Sequence, residues 1–227
     1  MKKFLRFGNI LVILLFGLLV FIALEHFNYI SHKSYTDQDF NIKYNSSDTD
    51  FDNDGIEDYE DILDGAKEFI AMKPKYKSQY YDGGYPDDGY YVCTDLIWYA
   101  LKNAGYNFKE LIDNDIKNNK ENYDIDIIDA NIDFRRVRNI NTFLEKYALK
   151  LTNDVNDYAS WQGGDIVVYE SHIGIVSDKR NKKGMSYIIH HDGHHKYEED
   201  GLDRKKVIGH YRFLLENITE SEQNVVN

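Results

Sequence analysis

The chain has 227 residues, of which 42% are hydrophobic and 15% aromatic, and its formal net charge is −12. This composition supports a packed core and excludes a disordered protein, and the length fits one domain plus a targeting segment. Broad nucleic-acid binding needs clustered Lys and Arg side chains, so the acidic charge argues against a nucleic-acid partner. The single cysteine excludes an intramolecular disulfide.

The N-terminus has the pattern of a membrane anchor. Two lysines and an arginine precede an uncharged run of 18 residues, Phe7–Leu24, which is about the shortest length that spans a bilayer as a helix. The basic flank predicts a cytoplasmic N-terminus and an extracytoplasmic C-terminal domain. A cleaved signal peptide is the alternative, but no small-x-small site follows the run. We predict a single-pass cell-membrane protein with an anchor over residues 1–32 and a polar linker over residues 33–49.

The segment DTDFDNDGIEDYEDIL has the spacing of a calcium loop. Calcium loops need oxygen ligands at positions one, three, five, nine and twelve and glycine at position six. Counted from the first ligand, the candidate ligands are Asp50, Asp52, Asp54, Asp58 and Asp61. No helix is evident before the loop, which resembles the abbreviated calcium loops of extracellular bacterial modules. Residues 50–61 therefore predict a structural calcium ion, and the alternative is a hydrated acidic turn.

Hydrophobic spacing predicts helices in the first part of the domain. One helical face after the acidic loop is formed by Ile56, Tyr59, Ile62, Leu63, Ala66, Phe69 and Ile70. A second helix is marked by Leu96, Ala100, Leu101 and Ala104, with Gly105 at the position of a C-terminal cap. Shorter helices are predicted near residues 108–116 and from about Phe143 to Ala148, where Thr142 and Glu145 are spaced as a capping box.

From Trp161 onward the pattern changes to strands. Four β-branched or aromatic runs are separated by Gly, Asp, Asn or Lys, namely WQGGDIVVY, HIGIVSD, SYIIHH and VIGHYRF. Helices followed by an antiparallel sheet are the α+β pattern. We predict an α+β domain over residues 58–213 and a flexible tail over residues 214–227.

The single cysteine, Cys93, is predicted to lie in the first turn of the second helix. Unpaired N–H groups and the helix dipole at that position lower the pKa of a thiol and raise its thiolate fraction. The thiolate is a nucleophile, so the sequence predicts a cysteine hydrolase. The alternative is a buried and inert cysteine.

A cysteine nucleophile needs a base, which is usually a histidine. His172 opens the run HIGIV, and His190 ends the run SYIIH, from where it can orient the His172 ring. A zinc site is a second interpretation of the histidine cluster His190, His191, His194 and His195, with Cys93 and His172 as further ligands. The cluster flanks an Asp-Gly turn and lacks a paired ligand spacing, so we expect that catalysis requires no cofactor.

Arg135, Arg136 and Arg138 form a basic cluster. A guanidinium group fits a carboxylate, so Arg135 and Arg136 are candidates for substrate binding, with Asp95 as a third. The alternative is that the arginines pair with the carboxylates of this protein, which is the more common case.

The order of these motifs resembles the NlpC-type cell-wall peptidases of the papain-like superfamily. The matching residues are a Tyr- and Gly-rich loop at 80–84 before Cys93, Gly164 and Asp165 before a strand, the His172–Gly174 motif, and a polar residue that closes the next strand. The resemblance implies a papain-like fold in which Cys93 is the nucleophile, His172 the base, and His190 the orienting residue. It also implies that Tyr80 and the Cys93 N–H line the oxyanion site.

Residues from about Asp58 to Phe213 also resemble a bacterial family known as domain of unknown function 1287. The shared motifs lie at Val92–Asp95, Asn131–Val137, His172–Gly174 and Gly209–Arg212. Two departures from the NlpC pattern are the Val-Cys-Thr-Asp sequence, where Asp-Cys-Ser-Gly is usual, and a longer stretch between His172 and His190. The family often has Asn where this chain has His191, which makes His191 the alternative third residue.

The two resemblances imply a membrane-anchored extracytoplasmic cysteine peptidase or amidase that acts on cell-wall peptides or peptidoglycan. One alternative is an acyl-cysteine transferase or thioesterase that uses the same residues. The other is a non-catalytic wall-binding module that is steadied by calcium and has a buried Cys93.

Overall fold

The computed structural model describes residues 2–26, 29, 30, 32–194 and 196–214. The chain divides into two compact units at Lys33 and Ser34. The first unit contains helix α1 (Lys2–His26). Its segment Asn9–His26 has a mean hydropathy of 2.3 and is long and apolar enough to cross a membrane. This length and composition support the predicted anchor, and they also fit a signal sequence.

The second unit begins with helical elements. Its α-helices are α2 (Asp58–Ala71), α3 (Cys93–Asn103), α4 (Phe108–Asn118) and α5 (Val137–Tyr147). Helix α5 starts earlier than the capping-box pattern predicts, so Thr142 lies inside the helix, where its hydroxyl donates to the Arg138 carbonyl, 3.1 Å away. Short 3-10 turns occupy Asp37–Phe40, Lys120–Asn122, Asp133–Arg135 and Tyr158–Ser160.

Six strands form one antiparallel sheet. They are β3 (Leu149–Lys150), β4 (Ile166–Tyr169), β5 (His172–Arg180), β6 (Ser186–Ile189), β7 (Glu198–Glu199) and β8 (Val207–Arg212). Their order across the sheet is β3-β8-β4-β5-β6-β7. Strands β1 (Lys75–Tyr76) and β2 (Tyr90–Tyr91) form a separate parallel pair. The predicted α+β class and the four longer strands are confirmed, whereas β1, β2, β3 and β7 have two residues each, too few to leave a pattern.

The core places helix α3 against strand β5. Leu96 and Ile97 of α3 share a buried apolar cluster with Ile173 and Ile175 of β5. Helices α2 and α3 approach so closely that a Cβ atom on Gly65 would lie 3.0 Å from the Ala100 Cα. The start of α3 is therefore held by packing near the start of β5.

Residues 34–49 are not the free linker that their polarity predicts. Tyr35 and Arg180 exchange backbone hydrogen bonds of 2.9 and 2.7 Å. The guanidinium of Arg180 is buried and binds the Asp37 carboxylate and the carbonyls of Gly184 and Trp161. A buried cation needs such partners, so this segment packs as part of the domain.

Candidate active site

Cys93 is the first residue of helix α3, as predicted, with Val92 as the N-cap. Its side chain is 7% exposed. The N–H groups of Ile173 and Thr94 point at the sulfur. Because Ile173 directly follows His172 at the start of β5, the thiol faces the strand that carries the predicted base.

The predicted low pKa of this thiol is wrong for the structure described. Burial raises the pKa of Cys93 to about 11, although the N–H groups of Ile173 and Thr94 act in the opposite direction. Burial disfavours a charged sulfur more than a few N–H dipoles stabilise it. The thiol is therefore neutral at physiological pH in this conformation.

His172 and His190 form a hydrogen-bonded pair. The Nε2 atom of His172 lies 2.8 Å from the Nδ1 atom of His190. Antiparallel pairing of β5 with β6 places them together, since His190 directly follows β6. Burial, with a smaller contribution from His190, lowers the pKa of His172 to about 3. The His172 ring is therefore neutral, and the same burial disfavours the protonated ring that a general base forms.

Glu199 lies next to His190, which the sequence analysis does not predict. Its Oε1 atom lies 3.4 Å from the His190 Nε2 and accepts a hydrogen bond of 2.6 Å from Arg204. This separation is longer than a normal hydrogen bond, and His190 Nε2 is buried without a hydrogen-bond partner among the described residues. In the tautomer with the His190 proton on Nε2, the His190 Nδ1 atom accepts from His172 Nε2–H, and the Nδ1 atom of His172 is unprotonated.

His191, the alternative third residue, faces elsewhere. Its ring packs against Tyr76, Tyr197 and Phe69, with centroid distances of 5.2, 5.5 and 6.1 Å. Of the two neighbouring histidines, His190 is the one whose ring nitrogen bonds to His172. Burial lowers the pKa of His191 as well, so this ring is also neutral.

Three side chains of this site are close enough together to be candidate metal ligands. Ligand atoms of His172, His190 and Asp192 all lie within 4.8 Å of one another. The hydrogen bond between the two rings, however, uses the nitrogen atoms that face each other. His194 has a 61% exposed side chain, and His195 lies outside the described residues. Of the zinc ligands predicted as an alternative, His172 and His190 belong to this group of described residues, and its third member, Asp192, was not predicted.

Tyr80 is not placed at the sulfur. Its side chain is 59% exposed, and its hydroxyl lies 3.1 Å from Asp129 and accepts from Asn131 at 2.9 Å. The tyrosine near Cys93 is Tyr76 of β1. Burial raises the pKa of Tyr76, and a negative charge on Cys93 would raise it further.

The arginine cluster pairs with this protein's own carboxylates. Arg135 forms a bidentate ion pair of 2.8 and 2.7 Å with Asp95, and these side chains are 2% and 0% exposed. The other two pairs are Arg136 with Asp133 at 3.4 Å and Arg138 with Asp124 at 2.8 Å. Arg135 and Asp95 are corrected from substrate-binding to structural residues, because no substrate can reach a buried ion pair. Arg136 is 43% exposed and stays a substrate-binding prediction.

The Asp95 carboxylate also stabilises the turn that carries Cys93. It accepts the Val92 N–H at 2.7 Å and the Trp98 indole N–H at 3.0 Å. The ion pair with Arg135 therefore fixes the start of helix α3, where Cys93 lies.

The five aspartates of the acidic loop divide into two groups. Carboxylate oxygens of Asp50, Asp52 and Asp54 lie within 4.8 Å of one another. Asp58 instead accepts hydrogen bonds from the Phe51 N–H, the Thr49 hydroxyl and the Tyr106 hydroxyl. Asp58 is corrected from a direct metal ligand to a residue that holds the loop from inside, since both of its oxygens are occupied. Asp61 is buried behind the loop.

The motif at 209–212 has a structural explanation. The Asp165 carboxylate accepts two hydrogen bonds from Arg212, of 2.7 and 2.9 Å, and lies 3.0 Å from the His210 ring. His210 also stacks on Trp161 at a centroid distance of 3.6 Å. This network joins β4 to β8, and β4 separates β8 from β5 in the sheet.

The chain belongs to a family defined by a shared domain, because residues 63–213 match the family model for the domain of unknown function DUF1287. It is 31% identical to the uncharacterized protein YijF of Escherichia coli (strain K12) over 167 residues, which cover 68% of this chain and 81% of that protein. No solved structure is significantly similar to the chain. Neither description states an activity, so a function has to be derived from the site.

Proposed function

We propose that this protein is a membrane-anchored extracytoplasmic cysteine peptidase or amidase of the papain-like class, which acts on cell-wall peptides. The observation that carries the proposal is the contact of the Cys93 sulfur with the N–H group beside His172, whose ring is bonded to His190. A nucleophile, a base and an orienting residue in this order are the components of a catalytic triad. The cell-wall substrate and the outward orientation rest on the family resemblance and on the basic flank of α1.

The proposed reaction begins with two neutral groups. The unprotonated Nδ1 of His172 takes the thiol proton as the Cys93 sulfur attacks the carbonyl carbon of the substrate. The C–N bond then breaks, and the leaving amine takes that proton from His172. Water attacks the resulting thioester, and its proton passes through His172 back to the sulfur, which releases a carboxylic acid. The Cys93 N–H has no partner within the helix and is available to the oxyanion.

Digestion of purified peptidoglycan tests the proposal directly. The full chain in detergent is incubated with peptidoglycan, beside the Cys93→Ala variant, and soluble fragments are identified by mass spectrometry. We expect new peptide fragments with the wild type alone, and their masses identify the bond that is cleaved. Equal fragments from both proteins, or none from either, would contradict a wall hydrolase. Products that incorporate an added amine acceptor would identify a transferase instead.

The burial of Cys93 favours a second candidate, which is a non-catalytic wall-binding module. A thiol with a pKa of about 11 has little thiolate at neutral pH. Catalysis then requires that substrate binding or a local movement uncover the sulfur. Tyr76 is the candidate cover, because it lies near Cys93 and its ring packs on His191 with a centroid distance of 5.2 Å, while 46% of Tyr76 stays exposed.

Replacing Tyr76 with alanine is expected to speed the alkylation of Cys93 by iodoacetamide at pH 7.5 about tenfold or more. Water that enters the site lowers the cost of the thiolate, and each unit by which the pKa falls gives about tenfold more thiolate. The rate is followed by intact-protein mass spectrometry. Tyr80→Ala is the matched control and should leave the rate unchanged, because its side chain is exposed and bonded to Asp129. Equal rates in both variants would show that Tyr76 does not cover the thiol.

A further inference from the structure

The acidic loop before α2 brings carboxylates together as a cation-binding site does. Asp50, Asp52 and Asp54 each offer a carboxylate oxygen, and these oxygens lie within 4.8 Å of one another. Backbone hydrogen bonds fix the curved conformation of the loop. The Gly55 N–H donates to the Asp50 carboxylate at 3.0 Å, and the Ile56 N–H donates to the Asp54 carboxylate at 2.9 Å. Gly55 has φ of +99°, which a residue with a side chain rarely adopts. The loop therefore holds three carboxylates together.

The buried carboxylate of Asp61 is a second, independent observation that points to a ligand at the acidic loop. It is 2% exposed, and its Oδ2 atom is buried with no hydrogen-bond partner. Asp61 stands at position twelve of the loop spacing, where a calcium loop has its last ligand. An unpartnered buried carboxylate is costly unless a cation or a hydrogen bond compensates it.

Among the described residues, lysine and arginine side chains do not neutralise these carboxylates. In the part of the chain that the structure describes, no lysine or arginine forms an ion pair with any aspartate of the loop or with Asp61. Three carboxylates within 4.8 Å of one another repel each other strongly, and the buried Asp61 Oδ2 atom has no hydrogen-bond partner that offsets its burial. A bound cation would remove this repulsion.

We propose that Asp50, Asp52, Asp54 and Asp61 bind one calcium ion. All of these ligands are carboxylate oxygens, which suit a hard cation, and their spacing matches positions one, three, five and twelve of a calcium loop. Calcium accepts six to eight oxygens in flexible geometry, so a backbone carbonyl at position seven and water complete the shell. Magnesium prefers a strict octahedron and keeps its water, so it fits a cluster of four carboxylates less well.

The site connects to the helix that carries the nucleophile. The carbonyl of Asp61 accepts a hydrogen bond of 2.9 Å from Asn103, the last residue of α3. Phe51 of the loop stacks on Tyr106 with a centroid distance of 4.5 Å, and Tyr106 donates to Asp58. Calcium therefore stabilises the junction of α2 with the C-terminal end of α3, and this role is independent of any catalysis at Cys93.

Calcium titration of the full chain in detergent tests the site after treatment with EDTA and removal of the chelator. We expect isothermal titration calorimetry to show one calcium ion per chain. Saturating calcium should raise the melting temperature by about 5–10 °C. Asp61→Asn and Asp52→Asn should each abolish the shift or weaken binding at least tenfold. Asp61→Asn should leave the calcium-free protein folded, because it removes a buried charge and keeps the side-chain volume.

Asp64→Asn is the matched control, since Asp64 is an exposed aspartate of the same helix. It should keep both the stoichiometry and the thermal shift. The proposal is overturned if calcium gives neither heat nor shift, if the shift persists in Asp61→Asn and Asp52→Asn, or if magnesium at equal concentration reproduces it. None of these readouts uses peptidoglycan, so they remain interpretable whether or not the chain is a hydrolase.

Discussion

Replacing His172 with alanine is expected to slow the release of peptidoglycan fragments by about 10²–10⁴-fold, the usual contribution of a general base. The variant loses the group that takes the thiol proton, and the neutral thiol is a weak nucleophile. His190→Ala should also slow the reaction, because it removes the acceptor that holds the His172 ring. His190→Asn should restore part of the rate, since its side-chain oxygen can accept the same hydrogen bond.

Two other histidines provide the controls for this prediction. His194→Ala should leave the rate unchanged, because that side chain is exposed. His191→Phe should keep the rate within a few-fold, since His191 packs among aromatic rings and makes no hydrogen bond to His172. A large loss in His191→Phe combined with a normal rate in His190→Ala would make His191 the third residue. A normal rate in His172→Ala would contradict the proposed mechanism.

Replacing Arg135 with leucine is expected to lower the free energy of unfolding by about 3–5 kcal/mol, which is the cost of breaking a buried ion pair by removing one partner. Asp95 would remain as a buried charge that keeps only its hydrogen bonds to Val92 and Trp98. Urea denaturation followed by circular dichroism measures the change. The start of α3 should loosen with the ion pair, so Cys93 should also react faster with iodoacetamide.

Arg136→Leu is the matched control in the neighbouring position. Its ion pair with Asp133 is longer and 43% of the Arg136 side chain is exposed, so the loss should stay below about 1 kcal/mol. The double variant Arg135→Leu with Asp95→Leu should be more stable than Arg135→Leu alone, because no unpaired charge remains. Equal losses of unfolding free energy in Arg135→Leu and Arg136→Leu would show that the buried ion pair contributes no more to stability than the exposed one.

The spacing of hydrophobic residues along the chain predicted most of the helices and strands that position the candidate site. The apolar spacing of Leu96, Ala100 and Leu101 correctly placed Cys93 at a helix start. The four runs of β-branched and aromatic residues correctly predicted the central strands, and with them the adjacency of His172 and His190. These features depend on periodicity and on residues close in sequence, which a single chain displays directly.

Other features depend on contacts between distant segments. Arg135 and Asp95 are 40 residues apart in the chain, and only the folded chain joins them. Glu199 reaches His190 because the two-residue strand β7 pairs with β6, and Tyr76 approaches Cys93 from the separate β1–β2 pair. Strands of two residues carry too little pattern for a sequence-based prediction.

Local sequence patterns were enough to predict the α+β class, the position of Cys93 at the start of α3, and the pairing of the strands that carry the two histidines. The tertiary structure decided the charge state of the site, because burial raises the pKa of Cys93 to about 11 against the N–H groups that the helix start supplies. It also decided the hydrogen bonding around the acidic loop, where the Asp58 carboxylate accepts three hydrogen bonds and the buried Asp61 Oδ2 atom has no hydrogen-bond partner. Helix position is a local property of the chain, whereas desolvation depends on every segment that packs around a group.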